Sequence, residues 1–226
     1  VQKIELDKVV SHRKLIVPQL GAPGVSATEV AKQCGFRVIY GPVRANGLPK
    51  FIESDFQATP EMRRVHFTLL DRIAVIPVEL VIWFKQTLGL AILIGLLGGF
   101  SKEGYSLANV PRAFGLVFAG WIAGGVFVPI LLPWLPGRAF SIKGLWVALA
   151  LVLVLSGGGL LGTSALAATG WVAVLVAIVT FMALNFTGTS TYTSQSGVKK
   201  EMKVAIPVQI VMVLVGIICI IWGGLL

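Results

Sequence analysis

A small α/β unit followed by an all-α, polytopic membrane domain of five transmembrane helices is the architecture this sequence predicts. Three observations carry it. Charge is unevenly divided: residues 1–72 hold 11 of the 19 Lys and Arg and 7 of the 10 Asp and Glu, whereas residues 144–198 hold none, in a chain that is 56% hydrophobic. Residues 12–44, HRKLIVPQLGAPGVSATEVAKQCGFRVIYGPVR, run from strand formers through a glycine-punctuated loop and a short helical stretch to strand formers again. Behind them lie apolar stretches long enough, at ~20 residues per crossing, to span a bilayer as helices. The predicted division is residues 1–72 and 73–226.

Taken in order, Ile4, Leu6, Val9 and Val10 among Lys and Glu read as the end of a helix leading into the first strand. Leu15, Ile16 and Val17 form that strand, and Pro18 stops it. Ser26 with Glu29 three residues later is a capping box, and Ala27, Val30 and Ala31 give the short helix one apolar face. Gly35 ends the helix, and residues 36–40 (FRVIY) form the second strand. Strand, loop, helix, strand is a βαβ unit, whose ligands bind where the chain leaves the carboxyl ends of the strands. Those exits are residues 19–25 and 41–44. Beyond them Leu48, Phe51 and Ile52 mark one face of a short helix. Thr59 followed by Pro60 predicts a helix start, and residues 66–76 link the unit to the membrane.

Pro77 is expected to open the first span, with Glu79 in its first turn. The predicted spans are 77–100, 112–135, 144–162, 170–187 and 204–226. Asn109 and Pro111 cap the second, whose end Pro129, Pro133 and Pro136 kink or fray, and Pro207 sits in the first turn of the last. Glu79 and Lys85 read as interfacial anchors rather than a proton relay. Gly95 with Gly99, Gly120 with Gly124 and Gly158 with Gly162 are spaced for close packing between this chain's own helices. With the N-terminal unit in the cytoplasm, Arg138, Lys143, Lys199, Lys200 and Lys203 lie on the inner side, as the positive-inside bias requires. Nothing interleaves basic residues with aromatics as a nucleic-acid surface would, and the two cysteines, Cys34 and Cys219, have no metal-ligand spacing.

The segments HRKLIVPQLGAPGVSA, GFRVIYGPVRA and ATPEMRRV, with the hydrophobic tail behind them, resemble the mercury-methylating corrinoid proteins. These are membrane-tethered relatives of the corrinoid iron-sulfur protein of the acetyl-CoA pathway, and the resemblance runs over essentially the whole chain. It implies that the α/β unit is part of a Rossmann-like, corrinoid-binding domain. Gln19, Leu20, Gly21, Ala22, Pro23, Gly24 and Val25 would then face a cobalamin-type cofactor together with Gly41, Pro42, Val43 and Arg44. Small residues there would let backbone approach the macrocycle.

The activity implied is methyl transfer from cobalt to mercuric ion. The alternatives are a membrane-bound corrinoid methyl carrier with another acceptor, and a noncatalytic membrane scaffold. Electrons would come from a small dicluster ferredoxin, the only holder of iron-sulfur clusters, and the methyl group from an upstream corrinoid methyltransferase. The family's signature, Asn-(Val/Ile)-Trp-Cys-Ala-(Ala/Gly)-Gly-Lys, whose cysteine is taken to ligate cobalt, does not occur here. The chain is therefore expected to be an N-terminally truncated fragment, inactive alone and seated in the cytoplasmic membrane. Residues 185–203 (NFTGTSTYTSQSGVKKEMK) also match the family pattern. Thr191, Tyr192, Thr193, Ser194, Lys199 and Lys200 are expected to dock the soluble domain or a redox partner.

Overall fold

The computed structural model describes residues 5–101, 103–162, 164–186 and 195–226. The chain forms two compact units, residues 1–66 and 67–226, so the division falls six residues before the expected one. In the first unit a single helical turn, α1 (Leu6–Val9), precedes β1 (Lys14–Val17), α2 (Ala27–Cys34) and β2 (Arg37–Tyr40). The strands pair in parallel with Leu15 opposite Val38 and Val17 opposite Tyr40, the pairing expected of a βαβ unit.

Local chemistry sets the bounds of α2. The Ser26 hydroxyl accepts from the Glu29 N–H at 3.3 Å, one of the two bonds of the predicted box, and Gly35 closes the helix at φ 69°. The core beneath is small: Phe36 and Phe51 are fully buried and Val38 nearly so. Phe51 lies on α3 (Leu48–Glu53), which a 3₁₀ turn at Ala45–Gly47 introduces. Ile52, expected on the same buried face, is 48% exposed, because consecutive helix residues point about 100° apart. Thr59 and Pro60 do not start a helix. They make one turn, in which the Thr59 hydroxyl accepts from Met62 N–H at 3.4 Å.

The second unit contains five helices long and apolar enough to cross a membrane, the mark of a multi-pass membrane protein. They are α4 (Leu69–Leu97); α5 (Asn109–Ile122) continuing through a π-helical turn (Ala123–Phe127) into α6 (Val128–Leu131); α7 (Phe140–Gly157); α8 (Ala165–Asn185); and α9 (Gln195–Leu225). A short hairpin, β3 (Phe100–Ser101) with β4 (Gly104–Tyr105), joins α4 to α5 where a plain loop was expected.

Every long helix begins earlier than predicted, for reasons that can be named. Pro77 lies inside α4, whose start is a full capping box between Thr68 and Asp71. Pro207 is likewise interior to α9. Asn109 is the first residue of α5 rather than its cap. Glu79 and Lys85, six residues apart and hence about 120° around the helix, occupy different faces: Glu79 is buried, Lys85 exposed.

α8 is the central helix, apolar on every side and packed against α5, α7 and α9. Glycine makes the closest of these approaches possible. A Cβ on Gly216 of α9 would lie 2.8 Å from the Gly170 carbonyl oxygen, and one on Gly170 would lie 2.6 Å from the Gly216 oxygen. Gly223 sits equally tight on the Ala167 backbone, and Gly144 of α7 against Ala183. Of the expected pairs, Gly120 and Gly124 do pack on α8, against Ile178 and Met182, and Gly95 packs on Val110. Gly99 instead faces Tyr105. Gly158 and Gly162 belong to the α7–α8 connection, which turns through Gly159 and Gly162 at positive φ.

Cations cap the end of the second span. Pro133 has no N–H for the Pro129 carbonyl four residues back, and Trp134 N–H has turned to Leu131 at 2.9 Å, leaving the Ile130 carbonyl open. Arg72, 4% exposed, serves both: its Nη1 donates to Pro129 O at 3.2 Å and to Ile130 O at 2.6 Å, with the guanidinium over the Trp134 ring. The same logic holds one turn on, where Pro136 deprives Leu132 O and Lys143 Nζ donates to it at 2.6 Å. At this end of the bundle Glu201 of α9 also accepts from Ser141 N–H at 2.6 Å, satisfying a free donor in the first turn of α7.

Candidate functional site

Parallel pairing puts the exits of β1 and β2 at one end of the small sheet, so the two predicted loops meet there. In the first, Gln19–Gly21 winds into a 3₁₀ turn, and Gly24 and Val25 both donate to the Gly21 carbonyl, at 3.0 and 3.1 Å. Tyr40 ties this loop to β2, its hydroxyl donating to Val25 O at 2.7 Å. In the second, Gly41 N–H extends the ladder to Val17 O at 2.9 Å.

The ATPEMRRV segment arrives at the same end, an association its sequence did not reveal. Val43 N–H donates to Met62 O at 3.0 Å, and Arg44 Nη2 to His66 O at 2.8 Å. Between the strand ends lies a cavity of about 170 Å³, lined by Ile16, Val17 and Pro18 and by residues 41–45. Gly41, Pro42, Val43 and Arg44 thus share a concavity, while residues 19–25 stand beside it, with Leu20 and Pro23 exposed.

Two of the small residues have a reason for being small that needs no ligand. A Cβ on Gly41 would come within 2.8 Å of Ile16 Cγ2, and one on Gly21 within 3.0 Å of Val17 Cγ1. A Cβ on Gly24 would meet only ordinary contact. Gly41→Ala is therefore expected to destabilise the α/β unit by about 1–3 kcal/mol through overpacking. Adding Ile16→Leu, which removes the offending branch, should recover most of the loss. Hydrogen exchange over β1 and β2 in the full chain checks this, and a double variant as labile as Gly41→Ala would contradict it.

A corrinoid is tested against these groups as follows. Backbone rims the mouth on two sides, which suits a flat macrocycle, but 170 Å³ is below the ~300–1,000 Å³ of ordinary small-molecule pockets. Cobalt also needs a ligand. His12 precedes β1, and Cys34 closes α2, so both lie at the opposite end of the sheet. Cys34 Sγ donates to Val30 O. His66 stands at the right end, yet its Nε2 is 3.2 Å from the Glu61 carboxylate. Among the described residues no three of His, Cys, Asp and Glu converge as a metal site. These residues do not make up a complete corrinoid site.

Of the docking residues, Thr191, Tyr192, Thr193 and Ser194 lie outside the described residues. Lys199 and Lys200 belong to the first turns of α9, not to a loop, and are exposed. No known family model, curated protein or solved structure matches this chain.

Proposed function

We propose that this chain is the membrane-anchored part of a corrinoid methyl carrier of Rossmann-like type that transfers a cobalt-bound methyl group to mercuric ion. The observation that carries the reading is the gathering of three separate segments, residues 19–25, 41–44 and 59–66, at the carboxyl ends of two parallel strands, where α/β units bind ligands. The chain's own share is one rim of the site, built from backbone that β1 and β2 hold in place. The family's cobalt-ligating cysteine motif is not among these 226 residues. A dicluster ferredoxin would supply electrons and an upstream corrinoid methyltransferase the methyl group, with Lys199 and Lys200 on the docking side.

Orientation follows from charge. Among the described residues, Arg72, Arg138, Lys143, Lys199, Lys200 and Lys203 lie at the end of the bundle where α4 begins, and Arg112 at the other. This supports an N-terminal unit in the cytoplasm and the cytoplasmic membrane as the location. A second reading, a noncatalytic membrane scaffold, is favoured by the internal packing reason for Gly21 and Gly41.

The test is the complete gene product expressed in cobalamin-supplied cells. It should purify with corrinoid absorbance and yield methylmercury from Hg(II), given a methyl donor and reduced ferredoxin. A colourless protein, or a head cleaved by protease added to intact cells, defeats the proposal. A coloured protein that methylates only some other acceptor leaves the carrier and removes mercury.

A further inference from the structure

At the end of the bundle opposite the start of α4, the α4–α5 and α7–α8 connections and the last turns of α9 enclose a cavity of about 800 Å³. Ser106, Asn109 and Arg112 enter its wall from the α5 side, Gly162 and Ser164 from the α8 side, and buried Trp171 and Ile220 give it an apolar floor.

Arg112 brings a positive charge to this wall and has no counterion there: among the described residues its side chain makes neither an ion pair nor a hydrogen bond. Its Nε is enclosed by protein, whereas Nη1 and Nη2 are neither bonded nor enclosed. Those two nitrogens stand at the glycine lining of the cavity, since a Cβ on Gly162 would have Nη1 at 3.4 Å and Nη2 at 3.8 Å as its nearest neighbours. Ser106, Asn109 and Ser164 add three side chains that can donate, none of them hydrogen-bonded among the described residues, and Ser164 occupies the N-cap position of α8 without capping it. α8 also begins at this wall, with the free N–H groups of its first turn and the positive end of its dipole. Glu103 is the acidic side chain of the wall. It lies exposed in the hairpin turn and is paired with none of these donors.

We propose that this cavity binds an anionic phosphate ester, with Arg112 Nη1 and Nη2 and the side chains of Ser106, Asn109 and Ser164 donating to the phosphate oxygens. A guanidinium fork with further donors around the same space suits a tetrahedral oxyanion, which offers more acceptors than a carboxylate. The volume is near the upper end of small-molecule sites, so the organic part of the ester is accommodated along with its charge. This chemistry is shared by the headgroup of an anionic phospholipid and by a water-soluble phosphate ester. Binding involves no covalent step and stands independently of the methyl-transfer reading.

The experiment titrates the full chain in neutral detergent with dioleoylphosphatidylglycerol, dioleoylphosphatidylcholine or glycerol 3-phosphate, and counts bound copies by native mass spectrometry. The unaltered protein should bind an anionic probe about tenfold more tightly than phosphatidylcholine, whose phosphate is offset by its own cation, and Arg112→Gln should abolish that preference. Arg112→Lys, which keeps the charge without the fork, should recover part of it. Arg138→Gln, removing an exposed charge at the other end of the bundle, should leave it intact. Should Arg112→Gln fail to fold, Ser106→Ala/Ser164→Ala takes its place and should weaken the anionic probe several-fold. Equal binding of all probes to the unaltered protein overturns the proposal. So does an equal loss in Arg112→Gln and Arg138→Gln, the mark of unspecific attraction to a basic chain. Arg112-dependent binding of phosphatidylglycerol alone assigns the site to a membrane lipid, Arg112-dependent binding of glycerol 3-phosphate assigns it to a soluble ester, and dependence in neither overturns it.

Discussion

Arg72→Met is expected to lower the stability of the helical bundle by about 3 kcal/mol, since it removes two charge-assisted hydrogen bonds and leaves the Pro129 and Ile130 carbonyls buried without donors. Because the need for Arg72 originates in Pro133, the second half of the prediction is a rescue. Pro133→Ala restores an N–H four residues after Pro129, and Arg72→Met/Pro133→Ala should regain about half of the loss as a coupling energy between the two sites. Unfolding in mixed micelles measures all four members of the cycle. A double variant no more stable than Arg72→Met would show that the guanidinium acts in some way other than capping. Lys143 and Pro136 offer the parallel pair, with the ammonium supplying Leu132 O what the proline withholds.

Gly216→Val should separate α9 from α8. The added side chain meets Val174 Cγ2 at 2.7 Å and the Gly170 carbonyl at 2.8 Å, and neither helix backbone can yield without giving up the rest of the seam. Overpacking of this kind costs about 1–3 kcal/mol where side chains can shift, and contact with backbone places it at or above the upper figure. Gly89 and Gly115 are internal controls, since a Cβ at either meets open space. Gly89→Val and Gly115→Val should change stability by less than about 0.5 kcal/mol. Similar losses in all three would mean that glycine is needed for backbone conformation and not for approach. The readout is the fraction folded in detergent titration, with crosslinking between α8 and α9 as the direct measure of separation.

Much of this was legible in the sequence, and the remainder was hidden for identifiable reasons. Ser26, Glu29 and Gly35 act within a few residues of one another, so α2 and the parallel strands around it follow from local rules. The five spans follow equally from the length of the apolar stretches. Their starts did not, because a helix does not stop where charge begins: Thr68 with Asp71 begins α4 well before its uncharged part, and α9 absorbs Lys199, Lys200 and Lys203. Arg72 could not be read as a cap, as its acceptors lie 57 and 58 residues away. At the sheet end, glycines at 21 and 41 suggested room for a ligand, and only the positions of Ile16 and Val17 reveal that packing already requires them. Met62 and His66 joined the same rim through backbone groups, which leave no trace in residue type.

The place of α8 at the centre of the bundle bears on how the protein is made. Of the five spans, α8 follows α4, α5 and α7 off the ribosome and precedes only α9, its most extensive partner. Until it arrives, the α4–α5 pair and α7 have little to hold them to each other. The bundle therefore closes only once α8 is in place, with α9 sealing its remaining face.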